Sequence, residues 1–245
     1  MSENGGGESE RIEAVILAGG FGTRLQPYSH VIPKPLVPLG EIPVIEIVLR
    51  QLKRFGFSNV EITLGFQAEL FQASLSEGKH LGLDISYTIE NSPLGTAGPL
   101  AEVNNLDDHF LVLNGDLITT LDYRQLYADH CDSDAILTIA AHERFIPVEF
   151  GVIEGSDGIV DGYVEKPNLQ YRVSMGIYAF DKRVLEYIQK GERQDFPNLV
   201  LKLLSAGEKV RFFPFDGYWL DIGSGRDFEL AMDQFPQMKS ELLGE

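Results

Sequence analysis

The feature that most constrains this chain is an alternation of short apolar runs and helix-like segments over residues 14–130. The first run, residues 14–18, is continuously apolar and ends in Gly19 and Gly20, a pattern typical of a buried parallel strand. Further strands are predicted over residues 60–64, 85–89 and 110–113, and helices over residues 43–55, 68–75, 96–103 and 122–130. The alternation predicts a mostly parallel sheet with helices on both faces, and Gly56 is expected to end the first helix.

The second half of the chain is richer in predicted strands, and no linker or repeat separates it from the first half. Its strands are predicted over residues 135–141, 151–153, 159–164, 174–180 and 210–214, and its helices over residues 182–189, 198–204 and 227–238. We therefore expect a single Rossmann-like α/β domain over residues 11–245, with the antiparallel strands of the second half forming a lid. Residues 1–10 are expected to be a disordered tail, and no C-terminal β-helix domain is expected.

The formal net charge of −17 makes general nucleic-acid binding unlikely to be the function, because such proteins are usually basic. An anionic substrate would be repelled at long range, so a nucleotide site needs local cations or a metal ion. The single cysteine, Cys131, excludes an internal disulfide and favours a cytoplasmic location. The sequence lacks an apolar run of 18 residues, so no membrane partner is expected.

The loop after the first strand is rich in glycine, and glycine allows backbone N–H groups to approach phosphate oxygens closely. Leu25 stands where a dinucleotide-binding fingerprint needs a third glycine, and no Gly-Lys-Ser/Thr of a P-loop is present. The alternative to phosphate binding is a tight turn between a strand and a helix.

Two cations follow the glycines, Arg24 directly and Lys34 ten residues later between Pro33 and Pro35. We expect these prolines to keep the backbone extended and to aim the ammonium group in a fixed direction. Together, Arg24 and Lys34 are predicted to grip a triphosphate. The alternative is a solvated lysine in a proline-rich turn.

Two aspartates, Asp116 and Asp221, are candidates for a magnesium site, because Mg²⁺ prefers a few carboxylates together with substrate phosphate oxygens and water. Asp116 follows the predicted strand 110–113. The carboxyl ends of parallel strands meet at one edge of a sheet, so Asp116 and the loop 19–40 are expected to share a crevice. For each aspartate alone, capping of a turn or helix is the alternative.

The run over residues 19–46 resembles the signature of the sugar-1-phosphate nucleotidyltransferases, also called NDP-sugar pyrophosphorylases. Further matching motifs lie over residues 93–98, 114–116, 150–152, 165–167, 176–178 and 219–223, so the resemblance covers residues 13–232. It implies a glycosyltransferase-A-like fold and a Mg²⁺-dependent reaction of a nucleoside triphosphate with a sugar 1-phosphate, which gives an NDP-sugar and pyrophosphate.

The same resemblance assigns roles to residues of this sequence. It implies that Arg24, Lys34 and Asp116 are catalytic and that Asp116 and Asp221 hold Mg²⁺. Gly151, Glu165 and Lys166 would bind the sugar phosphate. The implied nucleotide-binding residues are Leu17, Ala18, Gly19, Gly20, Gly22, Thr23, Glu90, Pro93, Gly95, Thr96, Asn114 and Gly115.

The loop 94–98 looks most like that of mannose-1-phosphate guanylyltransferases and related heptose enzymes, and Glu90 can accept from N1–H and N2–H₂ of guanine. GTP with mannose or heptose 1-phosphate is therefore favoured. The alternatives are uridylyl or thymidylyl transfer, another phosphorylated acceptor, a non-catalytic regulatory relative, and a dinucleotide-dependent oxidoreductase. The protein is expected to be a monomer or a homodimer.

Overall fold

The computed structural model describes residues 13–20, 32–65 and 67–244 of the chain. The tail expected over residues 1–10 lies outside these described residues, and so do Gly22, Thr23 and Arg24 of the glycine-rich loop.

The strands of the described chain lie close to where the apolar runs predict them. They are β1 (Glu13–Ala18), β2 (Pro38–Leu39), β3 (Ile42–Pro43), β4 (Asn59–Leu64), β5 (Asp84–Ile89), β6 (His109–Asn114), β7 (Leu117–Thr119), β8 (Leu137–Pro147), β9 (Val152–Ser156), β10 (Ile159–Val164), β11 (Asn168–Asp181), β12 (Val210–Pro214) and β13 (Trp219–Asp221). The pairs β2–β3 and β7–β13 were not predicted, because strands of two or three residues are too short to show periodicity.

A seven-stranded sheet has the order β12-β8-β11-β6-β1-β4-β5. β1 pairs in parallel with both β4 and β6, and β12 pairs in parallel with β8. Only β11 within this sheet runs opposite to its neighbours, β6 and β8. The predicted mixed, mostly parallel sheet within a single α/β domain is thus confirmed.

The helices are α1 (Val44–Arg54), α2 (Ala68–Leu75), α3 (Tyr123–Cys131), α4 (Phe196–Ser205) and α5 (Gly225–Leu243). α1 ends as predicted at Gly56, which has a φ of 89° and donates to Lys53 O. α3 begins at Asp122, whose carboxylate accepts from the backbone N–H of Gln125 at 3.0 Å.

Two predicted helices are short 3-10 helices instead. Residues 96–103 contain only the 3-10 helix Gly98–Glu102, which is followed by the extended residue Val103. At its start, the backbone N–H groups of Ala97 and Gly98 donate to Gln194 O. Residues 182–189 contain the 3-10 helix Lys182–Tyr187. Such tight helices are usually short, since their hydrogen-bond geometry is poorer.

Helices cover both faces of the sheet. Ile16 of β1 lies in a buried cluster with side chains of α1, α2 and α3, including Leu49 and Phe71. Val15, the next residue of β1, lies on the other face with α4, including Leu199. Because alternate residues of β1 pack on opposite faces of the sheet, the strand is apolar from Ala14 to Ala18, as the sequence indicated.

Beyond the sheet, β8 and β11 continue together as a two-stranded ribbon, from His142 paired with Val173 to Pro147 paired with Asn168. The strands β9 and β10 form a separate antiparallel hairpin. The predicted strands 135–141 and 174–180 were therefore too short. Their ribbon ends are largely exposed, so burial imposes no apolar alternation there. The antiparallel strands exist, and their role as a lid stays a prediction.

Candidate active site

A cavity of about 590 Å³ opens at the carboxyl ends of the parallel strands, where the sequence predicted a ligand crevice. β1 and β6 are neighbours in register, with Leu17 opposite Asn114, so the loops that follow them meet despite their separation in sequence. The predicted site residues that line the cavity are Leu17, Ala18, Gly19, Gly20, Lys34, Glu90, Pro93, Gly95, Thr96, Asn114 and Asp116. Gly115 is not among the residues that line the cavity, and its N–H donates to Leu17 O at 3.0 Å.

Lys34 is 8% exposed, and its ammonium group is held between the two predicted metal ligands. Nζ donates to Asp116 Oδ2 and lies 3.9 Å from Asp221 Oδ1. The alternative of a solvated lysine is therefore wrong for the described structure. Lys34 and Asp116 line the large cavity, and Asp221 lies beside Lys34 at the adjoining second cavity, so the three side chains do not face separate surfaces.

The expected extended backbone around Lys34 is only partly present. Pro33 is extended, with a ψ of 137°, but Lys34–Leu36 form a 3-10 turn in which Leu36 N donates to Pro33 O at 2.8 Å. Pro35 fits this turn because it lies near the start, where its missing N–H has no partner to lose. The turn, rather than a straight segment, directs the ammonium group inward.

A short two-stranded sheet brings the aspartates together. β7 pairs with β13, with Leu117 opposite Asp221, and Ile222 N donates to Asp116 O at 3.1 Å. The Asp116 side chain is 23% exposed and that of Asp221 47%, so both carboxylates reach solvent. This donor set fits Mg²⁺, which takes few protein carboxylates and keeps water and phosphate oxygens. Among the described residues, no group of three or more acidic, histidine or cysteine side chains forms a closed metal cage.

Glu90 directly follows β5, the edge strand of the seven-stranded sheet, and lines the large cavity. Its Oε2 accepts from Leu94 N at 2.9 Å, and a Cβ placed on Gly19 would lie 2.1 Å from its Oε1. Gly19 therefore makes room for the carboxylate. Burial raises the pKa of Glu90 above its usual value, and the hydrogen bond from Leu94 lowers it.

One wall of the cavity, contributed by Arg193 and Asp195, was missed in the sequence. The segment carrying them is fixed against the predicted base loop, because Gln194 N donates to Leu94 O at 2.9 Å and Phe196 N donates to Thr96 Oγ1 at 2.7 Å. Neither side chain belongs to a motif, and only folding places residue 194 beside residue 94.

Thr63 was also missed, and its buried hydroxyl lines the cavity without a hydrogen-bond partner among the described residues.

A second cavity, of about 250 Å³, adjoins the first and shares Thr96 and Asn114 with it. Asp221 and Trp219 also line it. The Trp219 indole N–H donates to Met175 O at 3.1 Å, which fixes the ring. The two cavities thus meet around the Lys34 cluster, an arrangement that can hold two substrates side by side.

The predicted sugar-phosphate residues lie on the exposed β9–β10 region and line neither cavity. Tyr163 Oη donates to Glu165 Oε2 at 3.0 Å, and a Cβ placed on Gly151 would lie 1.9 Å from Tyr163 Oη. Gly151 and Glu165 therefore lie next to each other, and their binding of a sugar phosphate stays a prediction. Lys166 is exposed and has a φ of 45°, an unusual backbone conformation for a lysine.

Within the described part of the chain, no helix is both long enough and apolar enough to cross a bilayer.

Comparison with known proteins agrees with this geometry. A family model described as Nucleotidyl transferase matches residues 13–237. The mannose-1-phosphate guanyltransferase of Schizosaccharomyces pombe is 33% identical over 231 residues, which cover 89% of this chain and 62% of that protein. The UTP–glucose-1-phosphate uridylyltransferase of Synechocystis sp. is 32% identical over 244 residues, with coverages of 90% and 62%. The chain therefore spans about 62% of the length of these curated relatives.

A solved structure of HddC from Yersinia pseudotuberculosis superimposes with a TM-score of 0.71 at 28% identity, covering 91% of this chain and 99% of that one. A second structure of HddC, complexed with GMP-PN, gives a TM-score of 0.69. The chain therefore belongs to the nucleotidyl transferase family, the sugar-1-phosphate nucleotidyltransferases that its glycine-rich run and later motifs resemble.

Proposed function

We propose that this protein transfers the nucleotidyl group of a nucleoside triphosphate to a sugar 1-phosphate. An oxygen of the sugar phosphate attacks the α-phosphorus, the bond from the α-phosphorus to the bridging oxygen breaks, and pyrophosphate leaves. The observation that carries the proposal is that Lys34, Asp116 and Asp221 lie together where the two cavities adjoin, at the carboxyl edge of the sheet. The nucleophile is already an anion, so positioning and charge stabilisation are the main requirements.

Each charged residue has a proposed part in this reaction. Lys34 stabilises the negative charge that develops at the α-phosphate, and Arg24 holds the departing pyrophosphate. Lys166 and Glu165 bind the acceptor, after the exposed hairpin moves toward the cavities. Asp116 and Asp221 would hold Mg²⁺, which neutralises phosphate charge when bound.

For the substrates, we favour GTP with mannose or heptose 1-phosphate. The S. pombe relative is a mannose-1-phosphate guanyltransferase, and HddC was solved with a guanine nucleotide analogue. UTP with glucose 1-phosphate is the second candidate, because the Synechocystis relative is a uridylyltransferase of nearly equal identity. We further propose that the protein acts in the cytoplasm.

The proposal is tested by measuring pyrophosphate release with GTP, UTP, dTTP, CTP and ATP against a panel of sugar 1-phosphates. We expect Lys34→Ala and Asp221→Ala to lower kcat by about 100-fold or more while the fold is retained, because each removes charge stabilisation of the transition state. Lys79→Ala is the matched control, since Lys79 is an exposed lysine paired with Asp84 away from both cavities.

Normal turnover in purified Lys34→Ala or Asp221→Ala protein would contradict the assignment of these residues. Absence of pyrophosphate release with every substrate pair would instead favour a non-catalytic relative.

A further inference from the structure

The base end of the large cavity is lined on one side by the carboxylate of Glu90 and on the other by the ion pair of Arg193 and Asp195. One carries Glu90, whose Oε2 is fixed by the backbone N–H of Leu94 and whose Oε1 lies next to Gly19. The other carries Arg193, on the segment that Gln194 joins to the predicted base loop. Both side chains line the same cavity, so a flat base beside the loop 94–98 would lie between a carboxylate and a guanidinium.

Arg193 is aimed by its neighbour Asp195. Asp195 stands at the N-cap of α4, but its carboxylate accepts no capping hydrogen bond from that helix. It accepts instead from Arg193 Nη2 at 3.2 Å. Among the described residues, this pair engages one of the five N–H donors of the guanidinium, which leaves donors for a ligand in the cavity.

Guanine matches these two walls in its hydrogen-bonding pattern. One edge presents the donors N1–H and N2–H₂, which suit the two oxygens of a carboxylate. Another edge presents the acceptors O6 and N7, for which a guanidinium is the commonest bidentate partner in proteins. Adenine has a donor in place of O6, and uracil lacks both N7 and the 2-amino group.

We infer that Arg193 binds O6 and N7 of guanine while Glu90 accepts from N1–H and N2–H₂, so that this opposed pair selects GTP. The inference rests on the proposed function and deepens it, since it assigns the choice of nucleotide to a residue outside every matched motif. Arg193 is assigned to the base rather than to the phosphates because, among the described residues, its segment is hydrogen-bonded to the loop 94–98.

The test is a calorimetric binding series with GTP, 7-deaza-GTP, which has a C–H in place of N7, ITP, which lacks the 2-amino group, and UTP. We expect the unaltered protein to bind 7-deaza-GTP about 10-fold more weakly than GTP. Arg193→Ala should bind GTP about 10- to 100-fold more weakly, should no longer distinguish GTP from 7-deaza-GTP, and should bind UTP as before. Arg183→Ala is the control, because Arg183 is an exposed arginine that pairs with the aspartate two residues before it, Asp181, as Arg193 does with Asp195 two residues after it.

An equal loss of affinity for every nucleotide in Arg193→Ala would place Arg193 on the phosphates and overturn the inference. Unchanged GTP binding in that variant would also overturn it. Pyrophosphate release, measured in parallel, separates this inference from the proposed function. Transfer from UTP but not GTP overturns guanine selection and leaves nucleotidyl transfer standing. The predicted binding pattern without any pyrophosphate release overturns the proposed function alone.

Discussion

At the scale of single residues, two polar side chains of the site occupy space that only a glycine leaves open. Glu90 occupies the space that a Cβ of Gly19 would fill. Asn114 similarly approaches Gly176, where a Cβ would lie 2.5 Å from Nδ2 and where φ is 75°. These glycines set the positions of polar side chains around the cavities, as well as allowing backbone to approach a phosphate.

We predict that Gly19→Ala weakens nucleotide binding by about 10-fold with little loss of stability, because the new methyl group displaces the flexible carboxylate end of Glu90 and costs about one good hydrogen bond to the base. Isothermal calorimetry with GTP measures the affinity, and thermal unfolding measures the stability. Gly225→Ala is the control, since a Cβ there meets no atom within 4 Å. Unchanged affinity in Gly19→Ala would show that the position of Glu90 does not affect binding.

At the scale of elements, Gln51 ties three of them together behind the site. Its Nε2 donates to Thr119 O of β7 at 2.7 Å, and its Oε1 accepts from Tyr123 Oη of α3 at 3.1 Å. Gln51 lies on α1 and is 1% exposed, so these bonds are shielded from water. Because β7 directly follows Asp116, this connection holds Asp116, the proposed metal ligand, in place relative to α1.

Gln51→Leu is therefore expected to lower the free energy of unfolding by roughly 2–4 kcal/mol, since it leaves two buried polar groups, Thr119 O and Tyr123 Oη, without partners. Urea denaturation measures this change. Gln72→Leu on the exposed face of α2 is the matched control and should change stability by less than about 0.5 kcal/mol. If both substitutions changed the free energy of unfolding equally, the Gln51 hydrogen bonds would make no net contribution to stability.

At the scale of the whole molecule, the free energy of unfolding depends on pH through a buried histidine, His130. His130 is fully buried between α3 and the sheet, and its Nδ1 lies 2.9 Å from Thr138 Oγ1. Burial lowers the pKa of His130 to about 4, with a further decrease from the nearby His109 and an opposing increase from Asp181. In the unfolded chain this histidine has a pKa near its ordinary value of 6.5.

The folded pKa of His130 is depressed, so the unfolded state binds the proton more readily as the pH falls. Its contribution to stability is present above pH 6.5 and is lost between pH 6.5 and 4, amounting to about 2 kcal/mol between pH 7 and pH 5. Comparing urea denaturation at both pH values in the unaltered protein and in His130→Gln checks this. Between pH 7 and pH 5, we expect the free energy of unfolding to fall by about 2 kcal/mol less in His130→Gln than in the unaltered protein. An equal fall in both proteins would contradict the prediction.

The local sequence determined most of the fold. Continuous apolar runs predicted β1 and β6 to within a residue or two, because strands buried on both faces are rich in apolar residues. β4 was also predicted, although its Glu61 and Thr63 are polar and buried. The same local pattern predicted that Asp116 and the glycine-rich loop share one edge of the sheet. Gly56 ended α1 as expected, because glycine adopts the left-handed conformation without a steric penalty.

Tertiary structure decided what depends on distant parts of the chain. A 3-10 helix at Gly98–Glu102 stands where the local pattern predicts an α-helix, and its first N–H groups are bound by Gln194 O from a distant segment. Arg193 lines the large cavity because its segment packs on residues 94–98, a contact across nearly a hundred residues that no local periodicity encodes. Backbone propensity and burial act within a few residues, whereas a binding pocket is defined by contacts that form only when separate segments pack together.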